Sequence, residues 1–143
     1  MSSEKAVPPA TQQSESSLER RPKSSRRILV VDDNEDGARM LAMLLELHGH
    51  DVLTSLSGPR AVEIVATETL DLVLLDIGLP DMDGYEVARR ITTTCGSRRP
   101  RLIAITGWGR EEDRERTRAA GFDGHLVKPV DFETLQRVLA DLD

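Results

Sequence analysis

The feature that most restricts this chain is a set of four apolar runs, each closing on a polar residue: Val30-Val31-Asp32-Asp33, Leu74-Leu75-Asp76, Ala104-Ile105-Thr106 and Leu126-Val127-Lys128. Runs apolar on both faces read as strands covered on both sides, the arrangement of a parallel sheet. Helical periodicities lie between them, so the strands are expected to be joined by crossover helices. Parallel strands end at the same edge of a sheet, and the four closing residues are therefore expected to converge there.

Five strand and helix pairs follow from the pattern. Strand one is Arg27 to Val31, and Asn34 is a good cap for a helix with the stripe Ala38, Leu41, Ala42, Leu45, stopping near Gly49. Strand two is Asp51 to Ser55, and Ser57-Gly58-Pro59 starts a helix that turns Ala61, Ile64 and Val65 inward. Strand three is Asp71 to Leu75, the stretch from Gly78 to Gly84 is a loop, and Val87, Ala88 and Ile91 pattern the third helix. Strand four is Leu102 to Thr106; the charged segment Arg110 to Ala120 offers only Ala119 and Ala120 to a core and reads as a weakly anchored helix. Strand five is His125 to Val127, and Asp131 caps a last helix with the stripe Leu135, Val138, Leu139, Leu142.

Size and charge set the outer bounds. At 143 residues the chain fits a single domain able to fold without staples. One cysteine, Cys95, excludes an intramolecular disulfide and suits a reducing compartment. No apolar run reaches the length of a membrane span and no signal-peptide core opens the chain, so a soluble cytoplasmic protein without membrane insertion is the expectation. Residues 1–27 carry three acidic and six basic side chains, a local +3 that leaves −9 on the rest of a chain whose total is −6. An acidic body argues against nucleic-acid binding. Ser, Gln, Pro and Glu dominate the first 25 residues, so residues 1–26 read as a disordered tail and 27–143 as the folded domain.

The segments Ile28 to Asn34, Leu72 to Pro80 with Asp83-Gly84 following, Leu102 to Gly107 and Leu126 to Pro129 resemble, in order and spacing, a response-regulator receiver domain. The resemblance covers about residues 27–142 and implies a flavodoxin-like α/β fold, a (βα)5 three-layer sandwich with a five-stranded parallel sheet in the order 2-1-3-4-5. If strands one and three are neighbours, Asp32, Asp33 and Asp76 share a pocket and cannot all stay ionised without a counter-ion. Mg²⁺ answers this, since it accepts one or two carboxylates, keeps several waters and takes up a phosphate oxygen. Mg²⁺ and Lys128 together would balance the three carboxylates.

The resemblance also implies the roles. Asp76 matches the phosphoacceptor, Asp33 a direct Mg²⁺ ligand, Asp32 a water-mediated partner and Gly78 a backbone carbonyl ligand, while Thr106 matches the switch hydroxyl and Lys128 the phosphate-binding lysine. Gly107 supplies a small residue beside the phosphate, and Lys128-Pro129 matches a bond that is cis in many receivers. Thr106-Gly107-Trp108-Gly109 and Gly121 to His125 look like receivers attached to hybrid sensor kinases. Trp108 either lies over the site or packs on its loop. Where many receivers have a switch Tyr or Phe this chain has His125, which puts the usual hydroxyl-to-aromatic coupling in question.

The implied function is a phosphoacceptor response regulator in a two-component or phosphorelay system. It would take the group from phosphohistidine of a sensor histidine kinase or histidine phosphotransfer protein, lose it by hydrolysis at its own site without being a conventional enzyme, and signal to a downstream protein through the helix four, strand five, helix five face. No room for an output domain is expected after Leu142. The competing readings are a phosphorylation-independent interaction module and a detached receiver serving one hybrid kinase. His48 and His50 lack partners for a zinc site, and no nucleotide-binding phosphate loop is present, so direct ATP use is not expected.

Overall fold

The computed structural model describes residues 25–79, 83–107 and 111–141. Among these residues five strands and five helices alternate: β1 (Arg27–Val31), α1 (Glu35–Leu47), β2 (Asp51–Ser55), α2 (Gly58–Thr67), β3 (Leu72–Asp76), α3 (Gly84–Cys95), β4 (Arg101–Thr106), α4 (Glu111–Ala119), β5 (Gly124–Val127) and α5 (Phe132–Asp141). A single 3₁₀ turn, Gly96–Arg98, follows α3. All strand pairs are parallel and the sheet order is β2-β1-β3-β4-β5, the order implied by the family resemblance.

The alternation of the strands explains why they read as unbroken apolar runs. Ile28, Val30, Leu72, Leu74, Ile103 and Ile105 face one layer, built with Ala38 and Leu45 of α1 and Leu135 and Leu139 of α5. Leu29, Val31, Val73, Leu75, Leu102 and Ala104 face the other, against Ala61, Ile64 and Val65 of α2 and Val87, Ala88 and Ile91 of α3. Each fully buried Leu or Ile contributes about 1.5–3 kcal/mol of transfer free energy, and both faces of β1 and β3 collect it.

The helices start where the sequence placed them. Asn34 accepts from the Gly37 N–H at 3.0 Å, Ser57 from the Arg60 N–H at 3.2 Å and Asp131 from the Thr134 N–H at 2.8 Å, each satisfying a donor that a helix end leaves without an internal partner. Four strand edges differ by one residue from the sequence reading, the first being the start of β3, which lies at Leu72 and not Asp71. β3 runs on through Asp76, which pairs with Ile105; β4 begins at Arg101, opposite Leu72; and β5 begins at Gly124, opposite Ile103.

Helix α4 departs further. Ala119, an expected core residue, is exposed, whereas Thr117 is 4% exposed and Ala120 8%. Thr117 can be buried because its hydroxyl donates to the Arg114 carbonyl at 2.8 Å, so no polar group is left bare. Leu142 of the α5 stripe lies outside the described residues. Ser25 and Arg26, which the sequence assigns to the tail, are tied down: Ser25 donates to the Gly49 carbonyl and Arg26 to the Leu139 carbonyl, at 2.8 and 3.0 Å.

Candidate functional site: an acidic pocket at the strand ends

β1 and β3 are hydrogen-bonded neighbours with Val31 opposite Leu75. The residues just past Val31 and at the end of β3 are therefore brought to one edge. Carboxylate oxygens of Asp32, Asp33 and Asp76 all lie within 4.8 Å of one another, the one such acidic cluster found among the described residues. Asp76 is buried, Asp32 half-buried and Asp33 exposed, so the cluster opens to solvent on the Asp33 side.

Asp76 is held at both oxygens. Its Oδ1 accepts from the Gly78 N–H at 2.9 Å and its Oδ2 from Lys128 Nζ at 2.8 Å. Lys128 is placed by β5: Val127 pairs with Thr106, and the Lys128 N–H donates to the Thr106 carbonyl at 2.8 Å. The Lys128–Pro129 peptide bond is cis. The hydrogen bond to Asp76 raises the Lys128 pKa, against the lowering effect of burial, and keeps the ammonium charged. Burial pushes the Asp32 carboxyl above its ordinary value and the charge of Asp76 adds to this, while the Asn34 N–H and Lys128 pull it back.

That balance tests the site for a cation. Three carboxylates face one ammonium, and the burial of Asp32 already disfavours its charged form. The donor set is all oxygen and partly exposed to water, which fits a hard divalent ion such as Mg²⁺ better than a soft one. Asp32, Asp33 and Asp76 are the residues that would hold it.

The other expected residues fall into three groups. Thr106 ends β4, is 7% exposed and sits beside Lys128 through the backbone bond above. Gly107 follows it, and a side chain built there would meet nothing within 4 Å. His125 pairs with Ala104 and lines a separate groove with Arg101, Asp123 and Val138, away from the acidic cluster. Burial, with the charge of Arg114, lowers its pKa. Trp108 lies outside the described residues.

One feature beside the cluster was not anticipated. A groove of about 650 Å³ runs from Asp32 and Lys128 along Met40, Leu41 and Leu44 of α1 to Pro129 and Val130. Met40 is 66% exposed and Leu47 79% on the same helix. The segment Met40 to Leu47 is apolar on more faces than its core stripe needs, and that excess is the signal in the sequence.

Residues 28–140 match the family model described as the response regulator receiver domain. This chain is a member of the response-regulator receiver family. Protein PilH of Pseudomonas aeruginosa is 34% identical over 113 residues, covering 79% of this chain and 93% of that protein. The virulence sensor protein BvgS of Bordetella pertussis is 32% identical over 139 residues, which is 94% of this chain and 11% of that protein. Among solved structures, the receiver domain of a sensor histidine kinase from Pseudomonas aeruginosa PAO1, described with a magnesium ion coordinated in its active site cleft, superposes with a TM-score of 0.75. It is 32% identical, and the match covers 82% of this chain and 97% of that one. As a receiver, the chain has its acidic cluster at the carboxyl end of the strands and at the switch point between β1 and β3, where open α/β sheets bind ligands. No helix among the described residues is long and apolar enough to cross a membrane.

Proposed function

We propose that this receiver accepts a phosphoryl group on Asp76 from phosphohistidine of a sensor histidine kinase or histidine phosphotransfer protein, with Mg²⁺ bound, in the cytoplasm. The observation that carries the reading is the pairing of Asp76 Oδ2 with Lys128 Nζ at 2.8 Å inside a cluster of three carboxylates. A carboxylate oxygen of Asp76 attacks phosphorus, the phosphorus–nitrogen bond breaks, and the departing imidazole takes up a proton from solvent. Asp33, Asp76 and the Gly78 carbonyl, with Asp32 acting through water, would hold Mg²⁺, which would supply positive charge to neutralise phosphoryl oxygens. Lys128 transfers its hydrogen bond from the carboxylate to the incoming group, and its ammonium meets the charge that develops on the equatorial oxygens.

Gly107 leaves open space beside Asp32 and Lys128, which suits a bulky tetrahedral group. Thr106 is within the same strand end and offers a hydroxyl to it. A new charge of about −1.5 to −2 with three acceptor oxygens gives both residues a reason to move. Water admitted past the exposed Asp33 side then hydrolyses the acyl phosphate, so the chain is a self-resetting switch and not a conventional enzyme.

The groove along α1 begins at the acceptor and is lined by Met40, Leu41 and Leu44. An apolar surface continuous with the reacting group suits the phosphohistidine-bearing partner, because docking there aligns donor and acceptor. Output passes to a downstream protein through the α4, β5, α5 face, where α4 is held by few buried side chains.

The test is incubation with Mg²⁺ and a small phosphodonor such as acetyl phosphate, read by intact mass. One added phosphoryl mass on the wild type and none on Asp76→Ala is the expected result. No addition, or equal addition to both proteins, rejects the reading and leaves a phosphorylation-independent interaction module.

A further inference from the structure

Helix α4 is charged on nearly every face and, among its described residues, keeps few side chains in the core, yet one of its arginines makes a specific contact with α3. The Arg116 guanidinium carbon lies 4.3 Å from the centroid of the Tyr85 ring, within the range for a cation held over a π face. Tyr85 is 6% exposed and meets Phe122, just beyond α4, edge-on at 6.4 Å. Arg116 also reaches Asp83 Oδ2 at 3.9 Å.

Asp83 has a second duty. Its Oδ1 accepts from the Tyr85 N–H at 2.8 Å and so caps α3, while its Oδ2 faces Arg116. The cap is set hard against the acceptor loop: the Gly84 N–H donates to the Ile77 carbonyl, and a Cβ on Gly84 would stand 2.6 Å from Ile77 Cα. Ile77 directly follows Asp76. The contact sequence Asp76, Ile77, Gly84, Asp83, Arg116 thus runs from the reacting carboxylate to α4 without passing through Thr106 or His125.

We propose that Arg116 latches α4 to the capped end of α3, and that this latch carries a change at Asp76 into α4. The signal part of the proposal rests on the phosphoacceptor reading above; the latch itself rests on the contacts of Arg116 with Asp83 and Tyr85. Arg116 is a positioning residue, since it touches neither the phosphoryl group nor Asp76. Movement of the loop at Ile77 shifts Asp83 against a guanidinium that is also seated on Tyr85, and α4, with little else to hold it, follows.

The test is amide hydrogen exchange on the full chain, with and without Mg²⁺ and acetyl phosphate, with intact mass measured on the same samples. Arg116→Gln removes the charge and the ring contact, Asp83→Asn keeps the α3 cap and removes the attraction, and Arg118→Gln removes an exposed charge from the same last turn as a control. Without phosphodonor, the α4 amides of the first two variants are expected to exchange about two- to fivefold faster than wild type, and those of Arg118→Gln at the wild-type rate. With phosphodonor, wild-type α4 changes its protection, while Arg116→Gln takes up the same mass and loses that change. Wild-type exchange in both Arg116→Gln and Asp83→Asn, or a labelled Arg116→Gln with the full wild-type response, overturns the proposal. Absence of added mass on the wild type overturns the phosphoacceptor reading and the signal with it. The latch is then decided by the samples without donor, where equal rates reject it and faster rates in both variants uphold it.

Discussion

The Lys128 backbone N–H donates to the Thr106 carbonyl at 2.8 Å. The lysine is therefore fixed at two points, its main chain to the end of β4 and its Nζ to Asp76 on β3. A change at Asp76 that pulls on Nζ therefore acts on a segment already bonded to the end of β4.

Replacing Lys128 should separate folding from chemistry. The side chain is 45% exposed, so Lys128→Met is expected to fold, while the rate of Asp76 labelling by a small phosphodonor falls on the order of 10²-fold, as for loss of a single charge-stabilising donor. Lys128→Arg is expected to recover little, because a planar guanidinium does not reproduce a point ammonium. Quenched-flow or timed intact-mass measurement reads both.

The α1 groove is expected to serve a protein donor and not a small one. Met40→Ser removes an exposed apolar side chain from its wall. Transfer from a phosphohistidine protein should slow roughly tenfold, equivalent to about 1.4 kcal/mol, with labelling by acetyl phosphate unchanged. Equal slowing of both would place Met40 in the chemistry and not in docking.

Asp123 ties the far end of β4 to the loop before β5. It accepts two hydrogen bonds from Arg99, at 2.9 and 3.0 Å, and one from the Leu102 N–H at 2.8 Å. Asp123→Ala strips a fully buried strand residue of this partner and should cost about 1–3 kcal/mol, seen as a lower urea midpoint without loss of Asp76 labelling. Asn34→Ala, which removes the α1 cap, should cost about 1 kcal/mol by the same measurement.

Acidification should weaken the fold through two histidines. His50 Nδ1 accepts from the Arg26 N–H at 3.1 Å and must be neutral to do so; burial, then the charges of Arg26 and His48, lower its pKa. Burial and Arg114 lower that of His125. A base whose folded pKa lies below its unfolded value binds fewer protons when folded, so its contribution is complete above the unfolded value near 6.5 and is lost as pH falls below it. The urea midpoint is therefore expected to drop between about pH 7 and 5, with a shallower drop in His50→Gln.

The strands, the helices and the convergence of the closing residues were legible because they depend on local pattern, whereas the strand order and the roles of the site residues came from the family resemblance. The closing residues of the four runs, the caps Asn34, Ser57 and Asp131, and the parallel alternation that buries both faces of β1 and β3 are all properties of short stretches. Thr117 was missed because its burial depends on a bond to the Arg114 carbonyl, and a hydroxyl gives no hydrophobic signal. Arg116 was missed for a related reason. Its partners Asp83 and Tyr85 lie more than thirty positions earlier, and only the fold brings the Arg116 side chain to them. The apolar excess of Met40 to Leu47 was visible but had no use until the groove gave it one.

Lys128 directly follows β5, the last of the described strands, and stands 52 positions beyond the aspartate it pairs with. During synthesis β1 and β3 leave the ribosome before it does, and a domain folds as a unit. A chain that stops short of β5 therefore lacks the lysine and, with it, Leu126, Leu135 and Leu139 of one core layer. Under the proposed function, completion of β5 and placement of the phosphate-binding lysine are one event, so an incomplete chain would be a poor acceptor.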